Sequence, residues 1–260
     1  MDTGEQRLLA AMPLHAITAR YGEAGLRERF AIEIAGLAEA DRQRLSRALD
    51  LAARLHAADR RQREPYLNHL LRVATRIICY YRVSDPDVIC AALLHDAVED
   101  HAAELSGGAG RPAAMAALAA QFGDRVADLV SAVTNPDYEP GRDRNEQYRE
   151  HVRASLDAAA WARIIKVSDF TDNGVGLIHT TGPKVAELAA KYAPLVPVLR
   201  ELIARPDTPL SEDVKAHIIS QLDLARQRFA AVTDNGPSAG RAGPGGPGRA
   251  SRAGRAKPGG

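Results

Sequence analysis

The sequence contains no run of about 18 apolar residues, the length a helix needs to cross a bilayer, so no membrane-spanning helix is expected. Cysteine is scarce: only Cys79 and Cys90 occur, both inside apolar helical stretches. Two thiols so placed read as small buried hydrophobes in a reducing compartment, not as a disulfide framework. The N-terminal MDTGEQRLLA lacks the basic charge and the apolar core of a secretory signal, and a cytoplasmic location is expected. An excess of one charge is missing too. With 34 Lys and Arg against 33 Asp and Glu, the net charge of +1 gives no reason to expect specific nucleic-acid binding. Internal repeats are absent, and no segment alternates apolar and polar residues over a useful length, which argues against strands.

What is present favours helices. Apolar residues make up 45% of the 260, enough for a core, and Ala and Leu dominate over β-branched types. Residues 27–58 carry helical apolar spacing with a break near Glu39–Asp41, and a short basic connection runs from Arg60 to Glu64. Pro65 suits the first turn of a helix that reaches about Tyr81. Ser84-Asp85-Pro86 is a start signal for the next, DVICAALLHDAVEDHAAEL. Helical patterns then continue, interrupted by the Gly-rich loop 106–110 and the polar turns of 135–144, to about residue 233. An all-α bundle is expected. Residues 235–260 hold 9 Gly, 4 Pro and five basic residues (Arg241, Arg249, Arg252, Arg255, Lys257) with no acid. That composition predicts a disordered, solvated tail, and it leaves residues 1–234 at −4.

One stretch carries chemistry. His95 and Asp96 are adjacent, and Glu99 and Asp100 follow four residues later on an otherwise apolar helix. Positions i and i+4 share a helical face, and neighbours differ by about 100°, so the four form one broad polar wedge. Three carboxylates and an imidazole buried together repel unless a cation sits among them. His69, on the helix after Pro65, and Asp169, at the end of the apolar run ARIIKVSDF, complete a candidate set. Two imidazoles with two carboxylates suit Mn²⁺, Fe²⁺ or Zn²⁺ better than Ca²⁺. An octahedral ion so held keeps two positions open for water and a substrate oxygen. His56, His101, His151, His179 and His217 lack a consistent partner pattern and are expected to be structural or exposed.

The pattern resembles the HD superfamily of metal-dependent phosphohydrolases, and more narrowly the alarmone hydrolase domains of the RelA/SpoT-type family. The residues that carry the resemblance begin with Pro65-Tyr66-x-x-His69 and continue with Ala92-Leu93-Leu94-His95-Asp96-x-Val98-Glu99-Asp100. The run from Phe122 to Thr134 and the block Ile165-Lys166-Val167-x-Asp169-x-x-x-Asn173 follow in the family's order. The resemblance covers roughly residues 52–175 and implies an HD-domain helical bundle over 51–233, an N-terminal helical extension over 1–50 and the basic tail from 234.

By position, it implies that His69, His95, Asp96 and Asp169 hold a divalent metal, most plausibly Mn²⁺, with Fe²⁺ and Zn²⁺ as alternatives. Glu99 and Asp100 would activate water and handle protons, and Asn173 would contact the ribose or a phosphate. Arg60 or Arg61 would meet the nucleotide, and Lys166 would steady negative charge in the site or snorkel from a buried helix. The substrate implied is guanosine 3′,5′-bis(diphosphate), which loses its 3′-pyrophosphate. Other readings stay open: a phosphohydrolase of another nucleotide or nucleoside monophosphate, or a nucleotide-binding sensor without turnover. Oligomeric state stays open as well. The chain departs from the family's GQxRxxG run, reading Ala58-Asp59-Arg60-Arg61-Gln62-Arg63-Glu64, and carries Phe170 and Gly176 where the family has Arg and often Thr.

Overall fold

A computed structural model describes residues 3–61, 64–175 and 184–234. The basic tail, Gln62, Arg63, Gly176 and His179 therefore lie outside the described residues. Among those described, the chain is almost wholly helical: α1 Thr3–Ala11, α2 Leu14–Ile34, α3 Glu39–Leu55, α4 Leu67–Cys79, α5 Pro86–Leu94, α6 Ala97–Ser106 and α7 Arg111–Phe122. There follow α8 Asp124–Val133, α9 Arg144–Ala158, α10 Ala160–Phe170, a π-helical turn Thr171–Val175, α11 Lys184–Tyr192, α12 Leu195–Ala204 and α13 Glu212–Asp234.

At the centre is α5. The Asp85 side chain caps it by accepting from the Asp87 N–H at 3.0 Å, and Pro86 fills the first turn, as the sequence signals. Every residue from Val88 to Leu94 is buried, because α5 is packed by α3, α4, α8 and α10 on its several sides. A helix apolar all round belongs in such a position. In turn α4 packs on α2, α5 and α10. The apolar side chains of α2 and α3, Leu26, Phe30, Leu45 and Ala48 among them, join the same core. Cys90 is buried and Cys79 half-buried, both free thiols, and burial pushes them up to about 12 and about 11.

Three local features go beyond the sequence pattern. Within the N-terminal helical extension, α2 is broken at Gly22, where φ is +60°. The basic connection is a small hairpin: Arg60–Arg61 (β1) pairs antiparallel with Glu64–Pro65 (β2), and the Tyr66 N–H closes it on the Asp59 carbonyl at 3.1 Å. Pro65 thus ends a strand instead of opening α4, which its missing N–H permits at a ladder's edge.

Most consequential, the informative helix is two helices. α5 stops at Leu94, His95 and Asp96 form the joint, and α6 starts at Ala97. At the joint the Ala92 carbonyl accepts from the His95 ring at 2.9 Å, a side-chain bond that competes with the helical ladder. α6 then ends at Gly107, whose φ of +61° supplies the left-handed cap.

With no free space around α5, a truncation there leaves a cavity. Leu93→Ala is expected to cost about 2–5 kcal/mol, read as a lower urea midpoint at an unchanged m value.

Candidate metal centre

The three central elements bring four side chains to one point. His69 comes from the first turn of α4, His95 and Asp96 from the α5–α6 joint, and Asp169 from the last turn of α10. The His69 Nε2 atom stands 3.3 Å from Asp169 Oδ1 and 3.8 Å from Asp96 Oδ2. His95 Nε2 stands 3.1 Å from Asp96 Oδ2 and 3.7 Å from Asp169 Oδ1. Both rings are buried, at 0% and 3% exposure, with centroids 5.3 Å apart.

The far side of each ring is fixed. His69 Nδ1 donates to Asp172 Oδ2 at 2.8 Å, and His95 Nδ1 donates to the Ala92 carbonyl at 2.9 Å. That leaves both Nε2 atoms buried without a hydrogen-bond partner. Orphaned ring nitrogens facing two carboxylate oxygens, with their second nitrogens held, are the arrangement of metal-ligating histidines. The donor set fits a divalent transition ion.

The electrostatics point the same way. Burial disfavours a charged His95, yet the Asp96 and Asp169 carboxylates outweigh it and raise the ring to about 9. Burial likewise opposes charge on Asp169, but Lys166 and the two imidazoles hold it well below the usual carboxylate range. The site is a concentrated negative field that calls for positive charge.

A second layer holds these side chains. The Tyr66 hydroxyl donates to Asp96 Oδ2 at 2.7 Å, and Asn173 Nδ2 donates to Asp169 Oδ1 at 2.6 Å. Lys166 Nζ lies 3.3 Å from Asp169 Oδ2. Arg61 donates to the Asn173 side-chain oxygen and stacks over the Tyr66 ring at 5.3 Å. Beneath them, Asp172 accepts from Arg72 at 2.9 Å and Arg76 at 3.0 Å as well as from His69. Burial opposes its charge, but Arg72, His69 and Arg76 keep it ionised. The π-helical turn after Asp169 delivers Asp172 and Asn173 to the same side, a common use of such turns.

The structure separates Glu99 from Asp100. Glu99 turns to Asn135, accepting from its N–H at 3.1 Å and its amide at 2.6 Å. Asp100 faces a cleft of about 490 Å³ lined by Ala58, Asp59, Arg60, Tyr66, Asp100 and His101. Desolvation first, then Asp96 and Glu99, push its carboxyl up to about 6. So Arg61 reaches into the centre while Arg60 lines the cleft. Phe170 does not face the site. It is 2% exposed and packs edge-on against Tyr192 and Phe229.

Several participants escape the sequence pattern. Asp172 and Asn135 are polar residues near helix ends, which look like solvated termini. Lys191 lies 4.9 Å from the Tyr148 ring centroid, Lys166 5.4 Å from it, and Arg144 stacks on Tyr138 at 4.6 Å, giving a cationic and aromatic wall beside Asp169. His151 is structural, its Nε2–H donating to the Thr134 carbonyl at 2.9 Å. His56 and His101 are not isolated, since both meet Asp59 at 2.7 Å.

A helical core brings two histidines and two aspartates together around an HD pair, and residues 48–173 match the HD domain family. Within that class the chain is similar to guanosine-3′,5′-bis(diphosphate) 3′-pyrophosphohydrolase MESH1 of Drosophila melanogaster, 31% identical over 128 residues, 48% of this chain and 64% of that protein. The Homo sapiens MESH1 is 32% identical over the same shares of the two chains. The bifunctional (p)ppGpp synthase/hydrolase SpoT of Escherichia coli is 32% identical over 135 residues, 50% of this chain and 18% of that one. The match thus spans less than two thirds of each relative's own length. A solved structure described as a metazoan ortholog of SpoT that hydrolyzes ppGpp superposes with a TM-score of 0.54 at 25% identity, covering 71% of this chain and 95% of that one.

Because Asp172 orients His69 through its second nitrogen, Asp172→Asn is expected to weaken divalent-ion binding about 10- to 100-fold. Isothermal titration calorimetry of the variant measures this, and an unchanged affinity would show that His69 needs no such support.

Proposed function

We propose that the chain removes the 3′-pyrophosphate from guanosine 3′,5′-bis(diphosphate) in the cytoplasm, with Mn²⁺, or else Fe²⁺ or Zn²⁺, held by His69, His95, Asp96 and Asp169. The observation that carries this reading is the pair of buried, unpartnered imidazole nitrogens aimed at two carboxylates. Similarity to the pyrophosphohydrolases above supports the substrate. An ion bound there supplies Lewis acidity, which makes water acidic enough to deprotonate near neutral pH and offsets phosphate charge.

The chain's own residues do the rest. Asp100, at the cleft with its pKa near 6, is mostly ionised at pH 7 and close enough to neutral to exchange protons with the attacking water and the product. Glu99, fixed by Asn135, stands beside Asp100 and helps to raise its pKa. Lys166, Lys191 and Arg144 give the pyrophosphate a positive wall. Arg60 lines the cleft and Arg61 stacks over the Tyr66 ring that also lines it, and either guanidinium can meet a second phosphate or stack on the base. Asn173, clamped between Arg61 and Asp169, orients both.

Pyrophosphate release from ppGpp by the purified chain with Mn²⁺ is the direct test. Release stopped by EDTA and by Asp96→Ala is expected, whereas orthophosphate from other nucleotides with ppGpp untouched would overturn the substrate. Asp100→Ala is expected to lower kcat by about 10²- to 10⁴-fold while Mn²⁺ stays bound. Full rate in that variant would remove Asp100 from the chemistry.

A further inference from the structure

Outside the HD centre a second group of metal-competent side chains converges. His56 caps the end of α3, its N–H bonded to the Ala52 carbonyl at 3.0 Å. The chain then turns, with the Asp59 N–H on the His56 carbonyl at 3.1 Å, so the two side chains face each other. His101 arrives from α6, where the backbone leaves helical geometry at that residue alone, with φ −130° and ψ 32°. Both rings aim at one atom: His56 Nδ1 and His101 Nε2 each stand 2.7 Å from Asp59 Oδ2. Their centroids are 4.5 Å apart and their planes nearly perpendicular, at 86°.

Three features go beyond an ordinary hydrogen-bonded aspartate. The other nitrogen of each ring, His56 Nε2 and His101 Nδ1, is buried without a hydrogen-bond partner. Glu104 Oε1 lies 3.5 Å behind His101 Nδ1, the place of the carboxylate that backs a metal-bound histidine. And the group sits at the cleft, since Asp59 and His101 line it together with Arg60 and Asp100. The negative field of Asp59 and Glu104 raises the pKa of His101 against its burial, whereas burial keeps the more enclosed His56 neutral.

We propose that His56, Asp59 and His101 form a second divalent-cation site, of the two-imidazole, one-carboxylate type that zinc favours, with its fourth position turned to the cleft. Ligand atoms around tetrahedral zinc stand about 3.3 Å apart, so the two 2.7 Å contacts must open by roughly half an ångström. Asp59 has the freedom to do so, with its side chain 34% exposed on the loop before the hairpin. The open position takes water or an oxyanion of whatever occupies the cleft. The two centres are one tyrosine apart: Tyr66 stacks on His56 at 4.8 Å and holds Asp96 through its hydroxyl at 2.7 Å. Asp59 lies in the run Ala58–Glu64, which departs from the GQxRxxG pattern.

Counting ions tests it without reference to turnover. The full chain, stripped with chelator, loaded with Zn²⁺ and desalted, is expected to carry two zinc ions by inductively coupled plasma mass spectrometry. His101→Ala is expected to carry one, and so is Asp96→Ala, each having lost a different ion, while the double variant carries neither. Glu104→Gln is expected to weaken the second ion about 10-fold and leave the first unchanged in calorimetry. One ion in the wild type that survives His101→Ala, or two ions that survive it, would overturn the proposal. Should His101→Ala fail to fold by circular dichroism, His101→Gln provides the same comparison. A wild type that carries the ion sensitive to His101→Ala but none sensitive to Asp96→Ala would instead strike at the HD centre, so the two readings fail separately.

Discussion

The buried carboxylate of Asp172 is the constraint on which the centre depends. Its side chain is 4% exposed, and such a charge is tolerated inside a protein only when it is fully paired. Arg72 and Arg76, one turn apart on α4, supply the pairing, and Arg72 also grips Glu64 of the hairpin at 2.8 Å. One anion therefore ties the π-helical turn to α4 and, through Arg72, to the loop that presents Arg60 and Arg61. His69 is the third donor, which fixes its ring and leaves Nε2 pointing at Asp96 and Asp169. The position of the proposed ligands follows from the burial of a residue that is not itself among them.

Charge is layered outward from there. Cations surround Asp172, anions and imidazoles surround the ion position, and cations return in Lys166, Lys191, Arg144 and the hairpin arginines. Alternation of this kind keeps each buried charge next to its opposite, and the outermost layer is the one that the proposed anionic substrate would meet. The same logic explains why Phe170 is harmless to the ion position. It faces Tyr192 and Phe229, where a charged side chain in its place would find no partner among the described rings.

Much of this was readable from residue order, and the reason is chemical. His69, His95, Asp96 and Asp169 are costly in apolar helices unless they meet, so their presence in buried runs implies that they meet. The helical class follows in the same way from the spacing of Leu, Ala and Ile. What stayed hidden depends on contacts between distant segments. Asn135 reaches Glu99 across 36 positions, and His101 reaches Asp59 across 42. No local pattern encodes such pairs. The break between α5 and α6 was hidden for a different reason: helical periodicity continues through it, and only the ring of His95 on the Ala92 carbonyl gives it away.

The joint at His95 and Asp96 also bears on how the molecule holds together. Its two side chains meet His69 from one direction and Asp169 from the other, and the side chain of Asp172, which steadies His69, lies 103 positions further along the chain. An ion bridging those points closes a long loop of polypeptide, and cross-links that close long loops remove the most freedom from the unfolded chain. No fragment that omits either end contains the whole cage, so ion release and loss of the native architecture become linked events. The metal would then act as a rivet through the middle of the fold, and the concentration of free ion would help to set how often the chain opens.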